Sequence, residues 1–87
     1  MMKTFLVFTE DVNRKKIKKI VAEWFEGFTI LSGSGHWVGK CIPHRIYDEH
    51  SLVIVIIADR ADQEKVKEIA RRIKQVNKQE SVVVASF

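Results

Sequence analysis

Eighty-seven residues with a net charge of +4, one cysteine and no apolar run of bilayer length exclude a disulfide-stapled scaffold and a membrane-spanning helix. A chain this short buries only a modest share of its surface, so one domain over residues 1–87 that gains stability by self-association is expected. The charge comes from one cluster, Arg14-Lys15-Lys16 with Lys18-Lys19, and the remainder is nearly balanced.

The lone cysteine suits a reducing compartment, and the run Phe5-Leu6-Val7-Phe8 passes straight into Glu10 and Asp11 without a cleavage signal, so a cytoplasmic location is expected. Lys3 to Thr9 reads as a first strand, apolar enough on both faces to lie centrally in a sheet. Thr9 is placed to cap a first helix with Glu10 and Asp11 in its opening turn. On that helix Val12, Ile17, Ile20, Val21, Trp24 and Phe25 form the apolar stripe, with the basic residues mostly opposite and Gly27 as the stop. Phe28 to Ser32 is strand-like, a glycine-bearing segment interrupts it, and His36 to Lys40 resumes extended structure before Pro43. Leu52-Val53-Ile54-Val55-Ile56-Ile57 is short, continuous and β-branched, the pattern of a strand buried on both faces. Asp59 or Asp62 can cap a second helix whose stripe is Val66, Ile69, Ala70, Ile73 and Val76, and Ser81 to Phe87 closes the chain as a strand.

The order strand, helix, strand, strand, helix, strand is that of a ferredoxin-like βαββαβ sandwich, an α+β fold with two helices on one face of a four-stranded antiparallel sheet. The opposite face is left bare. Because the third strand is apolar at every position, a sister subunit is expected to cover that face, most simply in a trimer.

Chemically unusual residues concentrate between Gly33 and His50, which contains all three histidines, the only Cys, Pro and Tyr, and three of the four glycines. Glycine backbone at Gly35 and Gly39, cations at Lys40 and Arg45, rings at His36, Trp37, His44 and Tyr47 and the carboxylate of Glu49 make this the candidate site for a small anionic or nucleotide-like ligand. The glycine spacing matches neither the P-loop nor the dinucleotide fingerprint, and the plain alternative is a hairpin with glycines at its turn. Cys41, His44 and His50 are acceptable ligands for a metal such as zinc, but the C-x-x-H pair lacks the second close pair of a structural site. A Cys41–His44 nucleophile would need an orienting third group that spacing does not supply. No aromatic residue falls in Ser51 to Ala58, against the RNA-recognition variant of this topology, although phosphate contacts through Arg14 to Lys19 stay open. No cofactor is expected.

The segments Phe28-Thr29-Ile30, Gly35-His36-Trp37, Glu49-His50-Ser51-Leu52-Val53 and Gln79-Glu80-Ser81-Val82 resemble an uncharacterised family of small ferredoxin-like proteins over Phe28 to Val84. Trp37, Gly39, Lys40 and Glu49 are also similar to a pattern of the divalent-cation-tolerance and PII-type signal proteins. That resemblance implies a trimer with ligands at subunit clefts. The functional expectation is a non-enzymatic homo-oligomer that binds or sequesters a small ligand through the central segment. Two alternatives stay open, an interaction or nucleic-acid-associated module using the basic helix, and a metal- or Cys-dependent enzyme.

Overall fold

In a computed structural model, which describes residues 1–38, 46–79 and 82–87 and gives the backbone alone at 37, 38 and 46–49, the chain forms four strands and two helices. They are β1 (Met2–Glu10), α1 (Arg14–Ala22), β2 (Thr29–Val38), β3 (Ile46–Asp59), α2 (Gln63–Asn77, preceded by a short 3-10 turn) and β4 (Val83–Ser86). The strands make one antiparallel sheet in the order β2-β3-β1-β4, the expected ferredoxin-like arrangement.

Register fixes the two faces of the sheet, since side chains alternate along each strand. Phe5 pairs with Ile56, Val7 with Ile54 and Thr9 with Leu52, and all six are buried under the helices. Ile17, Ile20 and Val21 of α1 and Val66, Ile69, Ala70 and Ile73 of α2 complete this core. The other parity gives Leu6 opposite Val55, Phe8 opposite Val53 and Leu31 opposite Val53 on its other side. β3 is therefore buried on one face only: Leu52, Ile54 and Ile56 are closed off, whereas Ile57 is 64% exposed. The two-sided burial expected from its composition is not met within one chain, because no helix lies over the second face.

Several boundaries differ from the sequence reading, those of β1 and β2 because pairing outweighs local signals. β1 continues to Glu10, held opposite Ser51, so Thr9 is not a helix cap. Its buried hydroxyl instead donates to Gln79 Oε1 at 2.6 Å and accepts from Asn77 Nδ2 at 3.2 Å. α1 starts after Asn13, which takes a left-handed conformation (φ 57°) without a side-chain cap, and no acidic residue stands in the first turn. The helix ends at Ala22 rather than at Gly27, leaving Phe25 half-buried against the core and Trp24 and Val12 exposed. β2 runs unbroken through Gly33 and Gly35. Asp59 caps the 3-10 turn, accepting from the Ala61 N–H at 2.9 Å, and Asp62 precedes α2 without a side-chain capping bond to its backbone.

The molecule measures 45 × 26 × 20 Å. β3 alone accounts for the long axis, since fourteen extended residues span about 45 Å. Its pairing with β1 stops at Glu10–Ser51, while its pairing with β2 runs on to Val38–Ile46. A two-stranded arm thus projects beyond the body of the sheet.

Candidate functional site

The arm carries the described part of the predicted site. Gly35 lies opposite Glu49 and Trp37 opposite Tyr47, so these four positions share the parity of the open sheet face. His36, opposite Asp48, and His50, opposite Ser34, fall on the helix-side parity. The sequence reading treats these residues as one constellation; the structure divides them between two faces of a ribbon. Gly39, Lys40, Cys41, His44 and Arg45 lie outside the described residues, so the C-x-x-H pair does too. Among the described residues no group of three or more His, Cys, Asp or Glu stands close enough to hold a metal.

Gly33, opposite Ser51, carries a physical clue. Its φ is not positive, and a Cβ built there meets nothing within 4 Å. Neither conformation nor internal packing calls for glycine at this position, which weakens an isolated strand. The bare backbone lies on the open-face parity, beside the exposed Leu31.

The base of the arm is clasped by residues that the sequence offers for other roles and does not join. The Asp11 N–H donates to the His50 carbonyl at 2.8 Å, and Arg14 donates to both Asp11 carboxylate oxygens, at 3.3 and 2.8 Å, and to Ser32 Oγ at 3.1 Å. The Arg14 guanidinium holds the Asp11 carboxyl below the usual carboxylate range, with a smaller contribution from nearby His50. Asp11 in turn raises Arg14. The D-x-x-R spacing at the helix start was the available signal. A second polar cluster sits below it: Asn77 Nδ2 donates to Gln79 Oε1 at 2.9 Å, and Asn13 Nδ2 donates to Asn77 Oδ1 at 3.2 Å. These bonds tie the ends of β1 and α2 to the start of α1, fixing where the arm leaves the body.

The open face itself is the other feature. Phe8, Leu31, Ile57 and Val83 form an exposed apolar surface, extended by Leu6, Val53, Val55 and Ala85, and flanked by Met2 and Phe87. Patches of this kind mark interaction surfaces.

The family model described as a protein of unknown function, DUF3574, matches residues 6–87. The chain belongs to the DUF3574 family. Among solved structures, the DUF3574 chain is similar to a phage SAM lyase in complex with S-methyl-5'-thioadenosine, with 17% identity, TM-score 0.79, and coverage of 99% of this chain and 80% of the other. It is similar to the Bacillus subtilis GlnK–ATP complex at 18% identity and TM-score 0.71, covering 99% and 82%. It is also similar to the periplasmic divalent cation tolerance protein CutA from Archaeoglobus fulgidus at 10% identity and TM-score 0.70, covering 100% and 82%. At these identities the likeness shows the ferredoxin-like fold. Among curated proteins no sequence matches. No described helix is long and apolar enough to cross a membrane.

Proposed function

We propose that this DUF3574 protein is a non-enzymatic, single-domain subunit of a homo-oligomer, a trimer in the simplest case, which binds or sequesters a small anionic, nucleotide-like ligand along the arm. The observation that carries the reading is the apolar open face continuous with the arm. One subunit leaves Leu31, Ile57 and Val83 in water, and Gly33, opposite Ser51 on the same face as Leu31, offers bare backbone with room for an external group. A partner chain packed on that face would bring its surface against the arm, and a cleft between subunits is a favourable place for a small ligand. Trp37, Tyr47 and Glu49 on one parity and His36 on the other would supply recognition together with Lys40, His44 and Arg45.

The nucleotide-like class draws support from two similar structures described with ATP and with S-methyl-5'-thioadenosine, both adenosine-containing. The SAM lyase also favours a second reading, an enzyme acting on such a nucleoside. Native mass spectrometry of freshly purified protein tests stoichiometry and retained ligand together, followed by calorimetric titration with ATP and with S-methyl-5'-thioadenosine. An oligomer that binds either without turnover supports the first reading. Product formation from S-adenosylmethionine moves the protein to the second, and a monomer binding neither removes both.

A further inference from the structure

The two helices treat their charges in opposite ways. On α2, Lys65 pairs with Asp62 at 3.1 Å, Lys67 with Glu64 at 3.4 Å, and Arg71 with Glu68, each cation three residues after its carboxylate. On α1, Arg14 is held by Asp11, but Lys15, Lys16, Lys18 and Lys19 form no ion pair among the described residues. No acidic residue lies within α1 at all. Like charges three and four residues apart, as in Lys15 with Lys18 and Lys19, or Lys16 with Lys19, oppose helix formation. The chain thus keeps on α1 a repulsion that carboxylates offset for four of the five cations of α2, Lys74 excepted.

All four lysines are exposed, while Ile17, Ile20 and Val21 turn inward, so the cations spread over the outer half of the helix. A groove of about 390 Å³ between the helices extends the surface, with Lys16 and Lys19 on one wall, Arg72 and Gln75 on the other, and Ile20 and Val76 beneath. Arg72 Nη1 is anchored by Glu23 Oε2 at 2.6 Å, which leaves the lysines as the groove's unneutralised charges.

We infer that the outer face of α1, with the groove beside it, is a docking surface for the phosphate backbone of a nucleic acid duplex, read without sequence preference. Charge complementarity selects a polyanion. The residue types then select a phosphate backbone over an acidic protein: lysine is depleted at protein–protein interfaces, and the exposed apolar side chains nearby, Val12 and Trp24, lie beyond the two ends of α1 rather than among its lysines. Phosphates, by contrast, need only accessible point charges at spacings a helix provides. The surface lies on the opposite side of the sheet from the apolar face, so it stays outward when that face is covered. The inference does not depend on the ligand proposed for the arm.

Fluorescence anisotropy of a labelled duplex of about 12 base pairs, titrated with the full chain, tests it. Four phosphate contacts give a log–log salt slope near −3.6, or about a hundredfold loss of affinity between 50 and 200 mM salt. Lys15→Gln/Lys18→Gln/Lys19→Gln should lower affinity at 50 mM salt by at least about a hundredfold and bring the slope near −1. Lys65→Gln/Lys67→Gln on α2 should leave binding unchanged. Circular dichroism reports whether the triple variant keeps its helices; if it does not, Lys19→Gln alone should cost about tenfold. Absence of duplex binding at 50 mM salt, or equal losses in the α1 and α2 variants, overturns the inference. So does poly-glutamate binding as tight as duplex binding, which would reassign the surface to an acidic protein segment.

Discussion

Replacing Leu31 and Ile57 together by lysine should dissociate the assembly and leave each subunit folded. Both positions point away from the helices: Leu31 is 52% exposed and Ile57 is 64% exposed in the single chain, so neither contributes much to the internal core. Full burial of such a side chain is worth about 1.5–3 kcal/mol, and covering the exposed portion of these two recovers roughly 2–3.5 kcal/mol per subunit. In a trimer three such losses act on a concentration that enters squared, so at about 1.4 kcal/mol per tenfold the concentration for half-assembly rises by roughly 100- to 5,000-fold. Lysine adds the cost of burying a charge, so the shift should lie at or above the upper figure. Light scattering and sedimentation across a range of about 1–200 µM would follow assembly, with thermal unfolding as the check on the subunit. The reasoning is refuted if the double variant assembles like the parent, if the parent is monomeric throughout that range, or if the variant is unfolded.

Ile54→Ala, fully buried where β3 meets Val7 and Ile30, should cost about 2–5 kcal/mol in urea unfolding, whereas Ile57→Ala in the dissociated subunit should cost under about 0.5 kcal/mol. Thr9→Val removes a buried hydroxyl that both donates to Gln79 and accepts from Asn77, and a loss of about 1–3 kcal/mol is expected by the same measurement. Gly33→Thr should stabilise the isolated strand by about 0.5–1 kcal/mol yet weaken assembly or ATP binding, because its side chain fills the space left open on the sheet. Asp11, Asp59 and Glu68 have folded-state values depressed by Arg14, by the Ala61 N–H and the N-terminal ammonium, and by Arg71 respectively. Their contribution is therefore complete above the unfolded carboxylate range of about 3.9–4.3 and fades as pH falls through the lower folded values. The urea midpoint should be level near neutrality and drop below about pH 4, and the drop should shrink in Asp11→Asn/Asp59→Asn/Glu68→Gln. Finally, replacing residues 36–49 by a tight turn should abolish ATP binding in calorimetric titration while the circular dichroism spectrum persists, since β1, both helices and the body of the sheet keep their packing.

Apolar periodicity was strong enough in this chain to give the element order, the stripe of the second helix, the Ile17, Ile20 and Val21 part of the first, and the bare sheet face. Of the stripe Val66, Ile69, Ala70, Ile73 and Val76 the first four are buried and Val76 is half-buried, because a long amphipathic pattern admits one way of covering it. Boundaries failed where a partner strand overruled a local signal. Thr9 has the chemistry of a cap, but its pairing with Leu52 draws it into the sheet. Gly33 and Gly35 look like breaks, yet a fourteen-residue partner holds them extended, and no sequence window contains that partner. The candidate residues were legible as a composition, and their division between two parities was not. Strand parity, which separates His36 and His50 from Trp37 and Tyr47, depends on an unbroken β2 that the glycines concealed. The Asp11–Arg14–Ser32 clasp joins three elements, and only its first two members are neighbours in sequence.

The strand order β2-β3-β1-β4 has a further consequence for how the chain acquires its shape. Every ladder joins a strand from residues 1–38 to one from residues 46–87: β1 to β3, β1 to β4, and β2 to β3. Neither half contains a pair of adjacent strands, so neither has a sheet to collapse onto, and β1 must find partners about forty to eighty residues away. Folding is then a single interlocking event rather than the docking of two preformed lobes. A chain cut between residues 38 and 46 would give two fragments that are unstructured apart and regain the whole sheet on mixing.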